Sequence, residues 1–175
     1  MQFTIRDTVP FPRDRVFSVQ RDKLDEIAPF LDRIESIRVD SREEDGNIVH
    51  MVNYWRAESR DIPKVAQAFI KPEMMRWIDR ATWDGDAFTC SWDMELGFLP
   101  GAIEARGVNH WVDAGEVTHV EISGEIIIHA NKIRGVPRLL SGKVGSAIEK
   151  FVIATVEPNL RKTNEAVARY IRQSD

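Results

Sequence analysis

The sequence predicts an α+β protein in which a seven-stranded antiparallel sheet packs against one long C-terminal helix. Three observations carry that prediction. Two-residue alternation of apolar and polar side chains fills the middle of the chain and is interrupted by tight-turn clusters rather than by helices. A single helical stripe runs from Ile148 to about residue 172. Strands and helices are segregated along the chain, which argues against a doubly wound nucleotide-binding sheet.

Taken in order, Phe3, Ile5 and Val9 mark an opening strand that Pro10 and Pro12 end. Pro12 suits the first position of a short helix over about 13–20, because its missing N–H would have no partner there in any case. Asp22 is a capable N-cap for a second helix, in which Leu24, Ile27, Ala28 and Leu31 share one face, with a kink or break expected at Pro29. Beyond residue 33 the period approaches two. Ile37 and Val39 alternate with polar residues, Glu43 to Asn47 reads as a turn, and 48–58 as a long mixed strand. Residues 62–70 are ambiguous between loop and helical turn.

The clearest strands follow. Met75, Trp77, Ala81 and Trp83 share odd parity, and Phe88, Cys90, Trp92, Met94 and Leu96 share even parity. A two- or four-residue loop over 84–87 pairs odd with even positions, so both apolar sets fall on one face. A further hairpin joins 105–113 to 117–130 through Asp113 to Glu116. A two-residue turn there places Trp111, Asn109 and Gly107 on the face of Val120, Ile122 and Ile126. The last helix starts at a capping-box pattern with Ser146 as N-cap and Glu149 returning the bond. Its stripe passes through Val152, Val156, Leu160 and Val167, and Pro158 is expected to bend it.

With 175 residues, 43% apolar and 30% charged, the chain suits one domain, 1–175, with a sizeable core. A net charge of -4 argues against nucleic acid as a partner. One cysteine excludes an intrachain disulfide, and no apolar run approaches the ~20 residues of a bilayer span. A soluble, cytoplasmic protein is expected from these counts and from the N-terminus, which lacks a signal-peptide pattern. P-loop, dinucleotide, nucleophile-elbow and zinc spacings are all missing, so no cofactor is expected.

The element order resembles the START-like, or birch-pollen-allergen-like, helix-grip fold over essentially the whole chain. Gly135-Val136-Pro137 followed by Leu139 to Lys143 is similar to one bacterial family of unknown function within that superfamily. The resemblance implies a cavity between sheet and helix that holds a lipid, sterol, polyketide or other apolar ligand. Some members of the superfamily are cyclases or hydratases; others only carry or sense a ligand.

On this reading Trp77, Trp92, Met94 and Trp111, with Trp83 nearby, line an apolar pocket, and Phe151, Val152 and Thr155 line it from the helix. The alternative is that these side chains fill the concavity themselves. Tyr54, Asp79 and Asn109 fall on inferred inward faces and would orient a polar end, with His50 as a further candidate and Arg56 as a candidate partner of Asp79. A carboxylate flanked by tryptophans has its pKa raised by desolvation and then suits general acid or base work. His110 and His119 lie opposite one another if the turn is Ala114-Gly115, and Glu121 then adds metal-like chemistry on the outer face; the alternative is a solvated surface. Residues 131–143 interleave Lys132, Arg134, Arg138 and Lys143 with apolar residues, a pattern suited to transient contact with an anionic membrane or to an ordinary connector.

Three functions follow as expectations. The first is non-enzymatic binding, transport or sensing of a small hydrophobic ligand, with the C-terminal helix as lid and Pro158 as its flexible point. The second is a polyketide cyclase or hydratase that uses Asp79 with Tyr54 or His50. The third is a ligand-free interaction domain with a solid core. Oligomeric state is not legible.

Overall fold

The computed structural model describes residues 1–58, 71–97, 100–129, 132 and 141–174, and within 141–159 the backbone alone, Gly142 and Ser146 excepted. Among these residues, β1 (Gln2–Val9), β2 (Ile34–Asp45), β3 (Ile48–Ala57), β4 (Arg76–Asp84), β5 (Thr89–Leu96), β6 (Ile103–Ala114) and β7 (Val117–Ile128) form one sheet. Its order is β1-β7-β6-β5-β4-β3-β2, with every neighbour antiparallel. The β2–β3 turn needs a left-handed residue, which Gly46 supplies at φ +60. The β4–β5 loop is held by Asp84 Oδ1, which accepts the backbone N–H of Asp86 and of Ala87 at 2.9 Å.

Parity predicted the β4–β5 register correctly. Trp83 faces Cys90, Ala81 faces Trp92, Asp79 faces Met94 and Trp77 faces Leu96. The β6–β7 hairpin turns at Gly115-Glu116, so Trp111 pairs with Val120, Asn109 with Ile122 and Gly107 with Gly124. The last turn thus sits one residue later than Ala114-Gly115. That separates the histidines: His110 faces Glu121, and His119 faces Val112 and hydrogen-bonds Thr8 at 3.0 Å. Glu121 pairs with Arg6 at 2.7 Å.

The first helix, α1 (Arg13–Asp22), starts one residue after Pro12, which keeps an extended conformation. The short α2 (Leu24–Ile27) passes into a 3-10 turn, Ala28–Phe30, where Pro29 breaks the regular helix. Leu24, Ile27, Ala28 and Leu31 are all buried, as their spacing requires. Asp22 does not cap α2. It ends α1, and its carboxylate is taken by Arg21 at 2.8 Å and Arg42 at 2.9 Å.

The C-terminal helix α3 (Ser141–Ser174) is 34 residues, about 51 Å at ~1.5 Å per residue. It begins five residues before Ser146, so the capping-box pattern lies inside the helix and Ser146 is exposed. Such a pattern satisfies free N–H groups only where a helix begins, and nothing in it stops an earlier start. The helix also runs unbroken past Pro158. Its C-terminal part packs on β1, α1 and α2, burying Ala166, Val167 and Ile171. Asn164 donates to Asp7 at 3.0 Å, Arg161 to the Arg6 carbonyl at 2.9 Å and Tyr170 to Glu26 at 2.5 Å. Among the described residues no helix is long and apolar enough to cross a membrane.

One end of the inner sheet face is closed by aromatic packing. Phe17 of α1 sets its ring edge-on to Trp83, Trp111 and Phe88, with centroids 5.4, 5.2 and 5.1 Å away, and Trp83 stacks on Trp111 at 5.3 Å. Towards the opposite end the same face is only half-buried, at Trp55, Trp77, Met94, Leu96 and Ile128.

Candidate functional site

Between these two ends the inner face turns polar. Asn53 on β3 and Asp79 on β4 are directly paired, and both are buried, 1% and 8% exposed. Asn53 Nδ2 donates to Asp79 Oδ2 at 3.1 Å. One rung further, Trp55 faces Trp77, and their rings stack with centroids 5.4 Å apart and planes 15° apart. Met94 faces Asp79 from β5, and Leu96 faces Trp77.

Four polar atoms at these positions are buried without a hydrogen-bond partner: Asn53 Oδ1, Asp79 Oδ1, Trp55 Nε1 and Trp77 Nε1. Each forfeits its hydration without compensation, and while Gln20, Asn164 and the Trp83 and Trp111 indoles carry further such atoms elsewhere, these four share two adjacent rungs. Burial pushes the Asp79 carboxyl up to about 6, against the opposing pull of the Asn53 amide and of the Trp55 indole, which lies near without completing a hydrogen bond. The nearby Asp93 charge acts in the same direction as burial. A carboxyl with such a value can hold or release a proton near neutrality, or accept a hydrogen bond from a bound molecule.

Other expected site residues are placed differently. Trp92 is inward, its ring lies across Gly107, and its indole N–H donates to Asn109 Oδ1 at 2.9 Å. Asn109 is therefore inward but already engaged. Trp111 is inward and buried, packed against Phe17 and Trp83 in the aromatic block. Tyr54 is corrected: it is 37% exposed on the outer face beneath the Arg38 guanidinium. His50 lies on that outer face too, bonded to Thr82 at 3.0 Å, and Arg56 pairs with Glu35 at 3.0 Å rather than with Asp79. The physical reason is that β3 carries apolar residues on both parities, Ile48, Val52 and Tyr54 against Val49, Met51 and Trp55, so alternation alone does not choose a face.

Sequence reasoning missed Asn53 and Trp55. Their signal was the polar Asn53 between Met51 and Trp55, readable only once β3 is registered against β4. The side chains of Phe151, Val152 and Thr155, residues 62–70, and all of 131–143 but Lys132 and the helix backbone from Ser141, lie outside the described residues. Cys90 is buried and its thiol is pushed up by that burial, so it acts as a small apolar side chain. Among the described residues no three His, Cys, Asp or Glu side chains group as a metal site.

No family model and no curated protein sequence matches the chain. Solved structures do. The Zhui aromatase/cyclase from a Streptomyces species superposes with a TM-score of 0.70 at 15% identity, covering 99% of this chain and 94% of that one. A protein of Thermus thermophilus gives 0.67 at 18% identity, covering 97% and 99%. Norcoclaurine synthase from Thalictrum flavum, solved with dopamine and hydroxybenzaldehyde, gives 0.64 at 14% identity, covering 100% and 88%. With its curved seven-stranded antiparallel sheet and long C-terminal helix, the chain has the helix-grip fold of the START-like, birch-pollen-allergen-like proteins.

Proposed function

We propose that this chain binds a small, largely apolar organic molecule against the inner sheet face, with one polar group of the ligand at Asp79 and Asn53. The observation that carries this reading is the group of four unpartnered buried polar atoms on adjacent rungs, bordered by Trp77, Met94 and Leu96. A folding core gains nothing from an uncompensated carboxyl, whereas a binding site needs a few oriented polar groups in apolar surroundings. Fold neighbours that include an aromatase/cyclase and a synthase solved with aromatic ligands support the same reading. Native mass spectrometry of freshly purified protein tests it, together with titration of tryptophan emission by 2-methylnaphthalene. A retained organic molecule or saturable quenching is expected. Absence of both signals would overturn the proposal and favour a ligand-free interaction domain.

One observation favours a second reading, catalysis of the cyclase or hydratase kind. The Asp79 carboxyl, raised to about 6, is suited to moving a proton near neutrality. Asp79→Asn that keeps ligand binding while abolishing turnover of a bound polyketide-like substrate would support it. Unchanged turnover would exclude Asp79 as its acid or base.

A further inference from the structure

We propose that the polar group of the ligand is a neutral hydroxyl, seated between Asp79, Asn53 and the Trp55 indole. This inference rests on the apolar-ligand reading and narrows it to a ligand class. The free hydrogen-bonding capacity decides between candidates. Asn53 Oδ1 and Asp79 Oδ1 are unpartnered acceptors, while Trp55 Nε1 and Trp77 Nε1 are unpartnered groups that only donate. The orientation of the Asn53 amide is fixed, because its NH2 already serves Asp79 Oδ2.

A hydroxyl offers one donor and two lone pairs on a single atom, so it can donate to a carboxylate or amide oxygen while accepting an indole N–H. A primary ammonium offers only donors and leaves the indoles unanswered. A carboxylate offers only acceptors and sets a like charge beside Asp79, where Asp93 already acts unfavourably. A purely apolar guest satisfies none of the four atoms.

The test measures binding of four probes to the full chain by quenching of tryptophan emission: 2-naphthol, 2-methylnaphthalene, 2-naphthylmethylamine and 2-naphthoate. Hydrogen bonds to charged groups correspond to about 10- to 100-fold in affinity, and 2-naphthol should exceed 2-methylnaphthalene by about that factor. Asp79→Leu removes one of the three partners and should lower the ratio of 2-naphthol to 2-methylnaphthalene affinity severalfold. Should Asp79→Leu fail to fold, the isosteric Asp79→Asn should lower the ratio severalfold. Equal binding of 2-naphthol and 2-methylnaphthalene, or tightest binding by a charged probe, overturns the hydroxyl assignment and leaves the apolar-ligand reading standing. Failure of all four to bind overturns both.

Discussion

Asn53 and Asp79 face each other across the β3–β4 ladder and share one hydrogen bond of 3.1 Å, leaving one oxygen on each without a partner. The pair links the aromatic core on one side to half-buried Trp55 and Trp77 on the other.

The first prediction concerns pH. Folded Asp79 keeps its proton to about 6, whereas an ordinary aspartate loses it near 3.8. Its contribution to stability is fully present below about 3.8 and is lost as pH rises through 6. That amounts to about 3 kcal/mol by pH 7. Asp79→Asn should therefore be more stable than wild type at pH 7 by up to about 3 kcal/mol, with the difference closing towards pH 4. Urea unfolding of both proteins at several pH values measures this, and a difference that does not widen with pH contradicts it.

Gly107→Ala should destabilise the fold by roughly 1–3 kcal/mol. A Cβ there would run into the Trp92 indole and the Ser123 carbonyl, one of them backbone that cannot yield cheaply. Displacing the ring also breaks the bond from Trp92 to Asn109. Thermal melting and the near-ultraviolet dichroism of tryptophan report both effects; an unchanged melting temperature would refute the close approach.

Phe17→Ala removes the ring that contacts Trp83, Trp111 and Phe88 together, and should cost about 3–5 kcal/mol. Equilibrium denaturation would show it as a lower midpoint with little change in slope. A loss below about 1 kcal/mol would mean that α1 does not close this end of the core.

Asn164→Asp sets a second carboxylate where the amide now donates to Asp7 at 3.0 Å. Like charges at that distance should destabilise the docking of α3 on β1 at pH 7, by about 1–3 kcal/mol, and less at pH 4. Denaturation at the two pH values distinguishes this from simple loss of a hydrogen bond, which would be insensitive to pH.

Tyr54→Ala should leave 2-naphthol binding unchanged and alter stability by less than about 1 kcal/mol, since the ring lies on the outer face beneath the Arg38 guanidinium. Trp77→Ala should weaken that binding. Equal loss in both variants would contradict the assignment of faces.

Legibility followed the strength of local constraint. Short turns tie β4 to β5 and β6 to β7, so parity in the sequence carried Trp77, Asp79, Trp92, Met94 and Asn109 to the inner face. No short turn ties β3 to β4, and apolar residues on both parities of β3 hid Asn53 and Trp55 behind Tyr54. That Trp111 is packed in the aromatic block depends on Phe17, which arrives from a helix far away in sequence. The one-residue difference at the last turn shows how little separates Ala114-Gly115 from Gly115-Glu116 when only composition is read, although it decides which residue His110 meets.

The aromatic block also gives the inner face a direction. Trp83 stands two inward positions beyond Asp79 along β4, about 13 Å of strand, with only Ala81 between them. A guest anchored by its polar atom at Asp79 thus meets a wall on that side. On the proposed reading its bulk would lie the other way, towards the Trp55 and Trp77 indoles and Leu96, so that it sits in one orientation along the strands.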